Sequence, residues 1–187
     1  MFLSTDRLFK EMNEMAAESL EIVNSRFIGL SETQINWKPE PKKWSIAECL
    51  SHIAVSHELY LARVAEVLET PVENNGKLVF RPSITGSIFL KTINPESAVK
   101  IPNPAIFNPA ESPFTRRVFE DFLSAHQKYV DLLNRSGDYE LNDNKIISPV
   151  SSLMKFSLGE VLILLAYHEK RHVLQALKVL EHPHFPV

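Results

Sequence analysis

Twice in this chain a serine stands three residues ahead of a glutamate at the head of a long apolar run, in Ser45-Ile46-Ala47-Glu48 and in Ser157-Leu158-Gly159-Glu160. In such a box the serine hydroxyl accepts the glutamate N–H while the glutamate reaches back to the serine N–H, so two amides that a helix start leaves unpaired are satisfied together. Both runs are therefore predicted helices, the first from Ser45 to about Glu69 and the second to about Glu181, ahead of Pro183. Val161 to Ala166 is apolar on every side, the mark of a helix buried against several neighbours.

Two further helices follow from periodicity. From Thr5 to Leu30, Phe9, Met12, Ala16, Leu20, Val23, Phe27 and Leu30 recur at alternating steps of three and four. From Thr115 to Asn134, Phe119, Phe122, His126, Tyr129 and Leu133 share one stripe. Between the second and third helices stand Pro71, Pro82, Pro95, Pro102, Pro104, Pro109 and Pro113, too many for a continuous helix. A connection as long as 71–114 serves as a crossover or as a cover, with Phe107 and Phe114 able to shape a pocket at the bundle mouth. No alternating strand, internal repeat or low-complexity tract stands out. The expectation is an all-α four-helix bundle in a single domain spanning 1–187, with Trp37 and Trp44 anchoring the short connector between the first two helices.

Composition narrows the function classes. A chain of 187 residues, 44% hydrophobic, can bury one core. Its net charge is -3 and its Lys and Arg are scattered, which argues against nucleic acid or an anionic membrane as partner and for a small molecule or a protein. Cys49 is the only cysteine, so an intramolecular disulfide is impossible and a reducing cytoplasm is the natural compartment; within an apolar run it is read as core. The start of the chain lacks a basic stretch followed by an apolar one, and no apolar run approaches the roughly 18 residues of a membrane span. A soluble cytoplasmic protein is expected.

The chemistry concentrates in His168-Glu169-Lys170-Arg171-His172. Histidines four apart on a helix stack on one face, so both imidazoles can reach one divalent metal. The same letters read H-E-x-x-H, the zinc-peptidase signature in which the glutamate is general base. The extended form of that signature fails, because Gln175 stands where its glycine belongs and Lys178 where its third histidine belongs, and the Pro183/Pro186 tail with Glu181, His182 and His184 is expected to fray.

His52 is the better third ligand: it lies roughly 10 Å into its helix, and His172 roughly 14 Å from the end of the last, at 1.5 Å per residue. If those helices are antiparallel the positions meet. Spacing alone leaves open whether the three form a site or are unrelated core and rim histidines. His57, about 140° around the helix from His52, is read as surface. His126 is read as a hydrogen-bonded core or rim histidine, and Glu169 and Arg171 as surface or dimer contacts.

Several of these segments resemble the DinB-like family, the damage-inducible or YfiT-like metal-binding four-helix proteins. The match is carried by Gly29-Leu30-Ser31, Trp37-Lys38-Pro39 and Trp44-Ser45-Ile46-Ala47-Glu48-Cys49-Leu50-Ser51-His52-Ile53-Ala54, and by Ser157-Leu158-Gly159-Glu160 and Tyr167-His168-Glu169-Lys170-Arg171-His172-Val173-Leu174-Gln175-Ala176. The resemblance implies an up-down-down-up bundle, homodimers, and a divalent metal held at His52, His168 and His172. It further implies a metal-dependent hydrolase or a transferase or isomerase that uses a low-molecular-weight thiol, in a family where many members have no established activity.

An open three-His site holding Zn²⁺, or Ni, Fe or Mn, lowers the pKa of bound water toward roughly 7 or keeps a thiol as thiolate, so no protein nucleophile is required. Three residues are candidates beside it. Glu48, one turn before His52, either orients that histidine or only caps its helix; Gln175 either touches substrate or makes a buried interhelical bond; Tyr167 is packing or a donor at the site. The competing readings are a non-catalytic metal-binding stress protein or dimeric scaffold, and a zinc peptidase.

Overall fold

The computed structural model describes residues 3–73, 76, 79–109 and 113–186. The chain is mostly helical. Its first helix, α1 (Thr5–Ile22), is capped by Ser4 and continues into a π-helical turn, Val23–Phe27. The expected single helix to Leu30 thus changes winding near its end. Its buried stripe is Leu8, Met12, Ala16, Ser19, Val23 and Phe27, mostly steps of four, which drift around an ideal helix. A turn closed by i→i+5 bonds takes up the extra residue and keeps Val23 and Phe27 on the core face.

A short helix that periodicity did not reveal, α2 (Glu32–Asn36), opens on a capping box between Ser31 and Gln34. Then α3 (Ile46–Leu68) starts on the expected box: the Ser45 N–H donates to Glu48 Oε2 at 2.8 Å, and the Glu48 N–H to Ser45 Oγ at 3.1 Å. In the proline-rich segment Pro82 and Pro95 bracket enough chain for another unexpected helix, α4 (Ile84–Ile93), capped by Ser83. Next come α5 (Arg117–Arg135), with all five residues of its predicted stripe buried, and α6 (Leu158–Leu180), with Val161 to Ala166 buried throughout. Residues 74, 75, 77, 78 and 110–112 of the 71–114 connection lie outside the described residues.

The expectation of a chain without strands is corrected. Two short antiparallel ladders are present among the described residues: β1 (Leu3–Ser4) with β2 (Val79–Phe80), and β3 (Lys145–Ser148) with β4 (Ser151–Ser157), the latter a hairpin pairing Ile146 with Phe156. In β3 Ile146 and Ser148 face inward and Lys145 and Ile147 outward, so a polar residue occupies one of the two inward positions and the alternation cannot be read from the letters.

The long helices close on one another in a ring, α3 against α5 and α6, and α1 against α6 and α5. Their ends segregate into two apolar clusters. One joins Leu8 and Met12 of α1, Val64 of α3, Leu133 of α5 and Leu162 of α6; the other joins Phe27, Ile46 of α3, Phe119 of α5 and Val179 of α6. Thus α1 and α6 run one way, and α3 and α5 the other.

Glu160 ties the two halves of the chain together. Its Oε2 accepts the Ser157 N–H at 2.7 Å, and its Oε1 accepts the N–H and hydroxyl of Ser83 at 2.6 and 2.7 Å, so one buried carboxylate caps both α6 and α4. Gly86 lies so close that a Cβ there would stand 2.0 Å from Glu160 Oε1, and a Cβ on Gly159 would stand 2.4 Å from the Phe80 ring. Both glycines are required by close approach rather than by backbone angle. Their arrangement docks α4 beside the first turn of α6, eight residues ahead of His168.

Candidate metal centre

His52 projects from the second turn of α3, and His168 and His172 from the middle of α6. Because those helices are antiparallel, the three imidazoles meet at one height. Ring centroids are 4.7 Å apart for His52 and His168, and 4.5 Å for each of the other pairs. One nitrogen from each ring lies within 4.8 Å of the others, and the Nε2 atoms of His52 and His168 are 2.9 Å apart. Metal–imidazole bonds of 2.0–2.1 Å place tetrahedral ligand nitrogens about 3.3 Å from one another, so the spacing suits one ion.

The tautomers point the same way. The Phe107 carbonyl can only accept, and it lies 2.5 Å from His52 Nδ1, so that nitrogen carries the proton and Nε2 keeps its lone pair. His172 Nδ1 donates to Gln175 Oε1 at 3.1 Å, with the same result. His168 Nδ1 is buried with no hydrogen-bond partner among the described residues. If Nδ1 holds the His168 proton, two lone pairs face each other across 2.9 Å; if Nε2 holds it, a buried lone pair is orphaned. A cation accepting the converging lone pairs removes the first conflict, which is the observation that fits a metal to these residues. Burial lowers the pKa of all three, His172 to about 3 and His168 well below the ordinary histidine value, so the rings stay neutral at physiological pH, the form in which imidazole can bind a metal.

A sequence model of the DinB superfamily matches residues 15–176. The chain belongs to the DinB superfamily. Comparison with curated proteins and with solved structures finds no match. Membership and the three-histidine cluster are together compatible with metal binding. Among the described residues no helix is long and apolar enough to cross a membrane.

In this DinB superfamily chain the flanking residues depart from several expectations. His57 and Glu169 are not at the surface: both are 0% exposed. Glu169 points into the bundle, where Oε1 accepts from His126 Nδ1 at 3.0 Å and Oε2 stands 3.7 Å from His57 Nδ1. The reason is that α6 is covered on several sides, so a residue about 100° from the histidine face still points inward, toward α3 and α5. His126 is the hydrogen-bonded core histidine expected, with a partner 43 residues away that no local spacing could show. Arg171 is half-buried and bonded within the chain: its guanidinium donates to the carbonyls of Asn94 and Ser97 at 3.2 Å and Val99 at 2.6 Å, holding the chain after α4 against the site.

Of the three candidate side residues, Gln175 lies at the site through His172, whereas Glu48 and Tyr167 do not border the pocket. Glu48 is engaged by its capping box and by Lys38 Nζ at 2.6 Å, and the acceptor that orients His52 is Phe107 instead. Tyr167 is half-buried and bonds Asn94. The tail is packed rather than frayed: His182 and Phe185 lie against Trp37 at 5.3 and 5.5 Å, and Gln34 Nε2 donates to the Pro186 carbonyl at 3.0 Å. Trp44, expected only as an anchor, lies 4.7 Å from the His52 ring and 5.6 Å from that of His172.

The imidazoles border a pocket of about 1000 Å³. The proline-rich segment forms one wall through Phe89, Ile93, Ile101 and Phe107, as expected of Phe107, while Phe114 instead pairs with Asn36. Missed by sequence reasoning was Tyr60, whose hydroxyl lies 3.2 Å from Ser148 Oγ in the pocket wall. The signal was present, since His52, Ser56 and Tyr60 are four apart on one face of α3.

Proposed function

We propose that this protein is a metal-dependent enzyme built as a single-domain, up-down-down-up four-helix bundle, with His52, His168 and His172 holding a divalent metal, zinc in the first instance. The observation that carries the reading is that three neutral imidazoles with converging lone pairs border a pocket of about 1000 Å³. A structural site would bury its ligands away from any cavity, whereas a catalytic one keeps a position open to substrate. Bound there, a divalent ion supplies Lewis acidity and lowers the pKa of a coordinated water or thiol.

The chain's own residues do the rest. The Phe107 carbonyl and Gln175 fix two ring orientations through the protons on Nδ1. Trp44 covers His52 and His172 from one side and limits water there. Arg171 pins the wall after α4, and Tyr60 with Ser148 offers a hydroxyl pair to a substrate's polar group. The reaction proposed is thiol S-transfer or hydrolysis on a small molecule. A peptidase mechanism has no base in position, because Glu169 is turned into the core. A cytoplasmic homodimer completes the reading; it is supported by large apolar residues left exposed on α4 and β4, Ile84 at 83% and Leu153 at 92%.

The test is an anaerobic metal analysis of purified protein joined to a screen of low-molecular-weight thiols with electrophiles and of activated esters. Stoichiometric metal and a metal-dependent turnover are expected. Full metal occupancy in His52→Ala protein would sink the ligand assignment, and bound metal without turnover across the screen would favour the non-catalytic metal-binding protein.

A further inference from the structure

The pocket's lining is electrically lopsided. Five cationic side chains, Lys42, Lys43, Lys100, Arg171 and Lys178, face it against a single carboxylate, Glu40, among the described residues, in a chain whose net charge is -3. The lysines come from three separate stretches: the connector before α3, the strap after α4 and the last turn of α6. All four are exposed. Surface lysines elsewhere, such as Lys38, Lys128 and Lys170, pair with Glu48, Glu58 and Glu18, but no such pair engages these four among the described residues. The buried part of the lining is largely hydrocarbon, with Ile93, Phe107 and Leu164 in the same pocket as the imidazoles.

A lysine stripe on a convex surface would be only solvated charge. Here the charges ring a concave, apolar site, where low-dielectric walls focus the field into the cavity. We propose that the pocket binds a small amphipathic anion, its apolar body against Phe107 and Leu164 and its carboxylate or phosphate at the Lys42, Lys43, Lys100 and Lys178 rim. This deepens the proposed function and rests on the pocket being the substrate site. The reactive end of such a molecule then lies toward His52, His168 and His172, and the anionic end sets which substrates are held.

The test is calorimetric titration of four probes sharing one apolar body, 4-phenylbutyrate, 4-phenylbutyl phosphate, 4-phenylbutanol and 4-phenylbutylamine, on zinc-loaded and on chelator-treated protein. The two anions should bind about tenfold more tightly than the alcohol, from several exposed charge contacts of modest size each. The amine should bind most weakly. The preference should persist without metal, shrink in 0.5 M salt as screening dictates, and largely vanish in Lys42→Gln/Lys43→Gln/Lys178→Gln protein while a Lys10→Gln/Lys128→Gln control keeps it. Equal binding of anion and alcohol, a preference untouched in the triple variant, or no binding of any probe overturns the proposal. A preference seen only with zinc and retained in the triple variant also overturns it, because the anion is then a metal ligand; that result leaves the metal reading standing. Conversely, a rim-dependent preference in metal-free protein survives even if His52→Ala disproves the metal site.

Discussion

Two histidine clusters share α3 and α6, and the second also draws on α5 through His126. His52, His168 and His172 face the pocket; His57, His126 and Glu169 are sealed in the core, although His57 is five residues from His52 and Glu169 adjoins His168 in the chain. The first cluster has nitrogens converging within 4.8 Å and no carboxylate bonded to it among the described residues, and its pKa values fall because burial disfavours the imidazolium. The second is built on a carboxylate. Burial lowers the pKa of His57 too, but Glu169 pulls against it, and the two Glu169 oxygens are directed at different rings. Identical residue types thus make a cluster able to hold a metal on one face of α6 and an internal polar tie on the other. What separates them is access to the cavity and the presence of an anion that occupies the imidazoles.

The largest effect expected from breaking this contrast is on metal affinity. His168→Ala or His172→Ala should weaken zinc binding by more than about a hundredfold, beyond the 10–100-fold typical of groups that merely support a ligand, as read by competition with a chromogenic chelator. His57→Ala and His126→Ala should stay near the parent value; equal losses on both faces would erase the distinction.

Stability should show the mirror image. Glu169→Ala removes the acceptor from a fully buried pair and should cost about 2–4 kcal/mol, measured by urea unfolding of metal-free protein, with His172→Ala at the pocket costing less than half as much. A larger cost at His172 would mean that the pocket cluster, rather than the core one, holds the bundle together.

Acid sharpens the comparison further. His52, His168 and His172 have folded pKa values below the unfolded value of about 6.5. Below that pH the unfolded chain takes up protons that the folded chain refuses, so stability of metal-free protein is full above about 6.5 and falls as pH drops toward the folded values. For His172 the loss should continue to about pH 3, at about 1.4 kcal/mol per pH unit. His172→Ala should remove that share of the slope in acid unfolding curves, and an unchanged slope would contradict the burial of its ring.

Smaller still is the expected effect at Gln175, which only orients His172: Gln175→Ala should lower zinc affinity about tenfold, with Gln175→Glu restoring it. Least of all, Glu169→Gln should leave any metal-dependent turnover within a few-fold of the parent. A loss beyond about a thousandfold with metal still bound, in the upper range for a general base, would place the core carboxylate in the chemistry after all.

How much of this was legible in the sequence differs from residue to residue. Ser45/Glu48 and Ser157/Glu160 announce α3 and α6 because capping is a local exchange of hydrogen bonds over four residues. The stripe Phe119 to Leu133 announces α5 for a similar reason, since one face must be buried along its length. Helix α4 and the β3–β4 hairpin were not legible: α4 leaves Ile84 and Ile88 exposed and so lacks a clean polar face, and β3 places Ser148 inward. The metal-site residues were legible only as a pair four apart plus a third at matching height, and the resemblance to the DinB-like family carried the choice among histidines.

By itself, then, the sequence determined the long helices α1, α3, α5 and α6 and the main stripe each of them buries, because periodicity and capping act within a few turns of one chain segment. The antiparallel course of α3 and α6 decided that His52 meets His168 and His172, across 116 residues in the case of the 2.9 Å contact. Packing around α6 decided that Glu169 is core and not surface, since the side chain's fate depends on which neighbours surround its helix. The lysine rim is drawn from three distant segments, and Lys100 belongs to the strap after α4 that Arg171 holds at Val99. Those outcomes depend on where separate elements dock, and docking is set by long-range burial that no local pattern encodes.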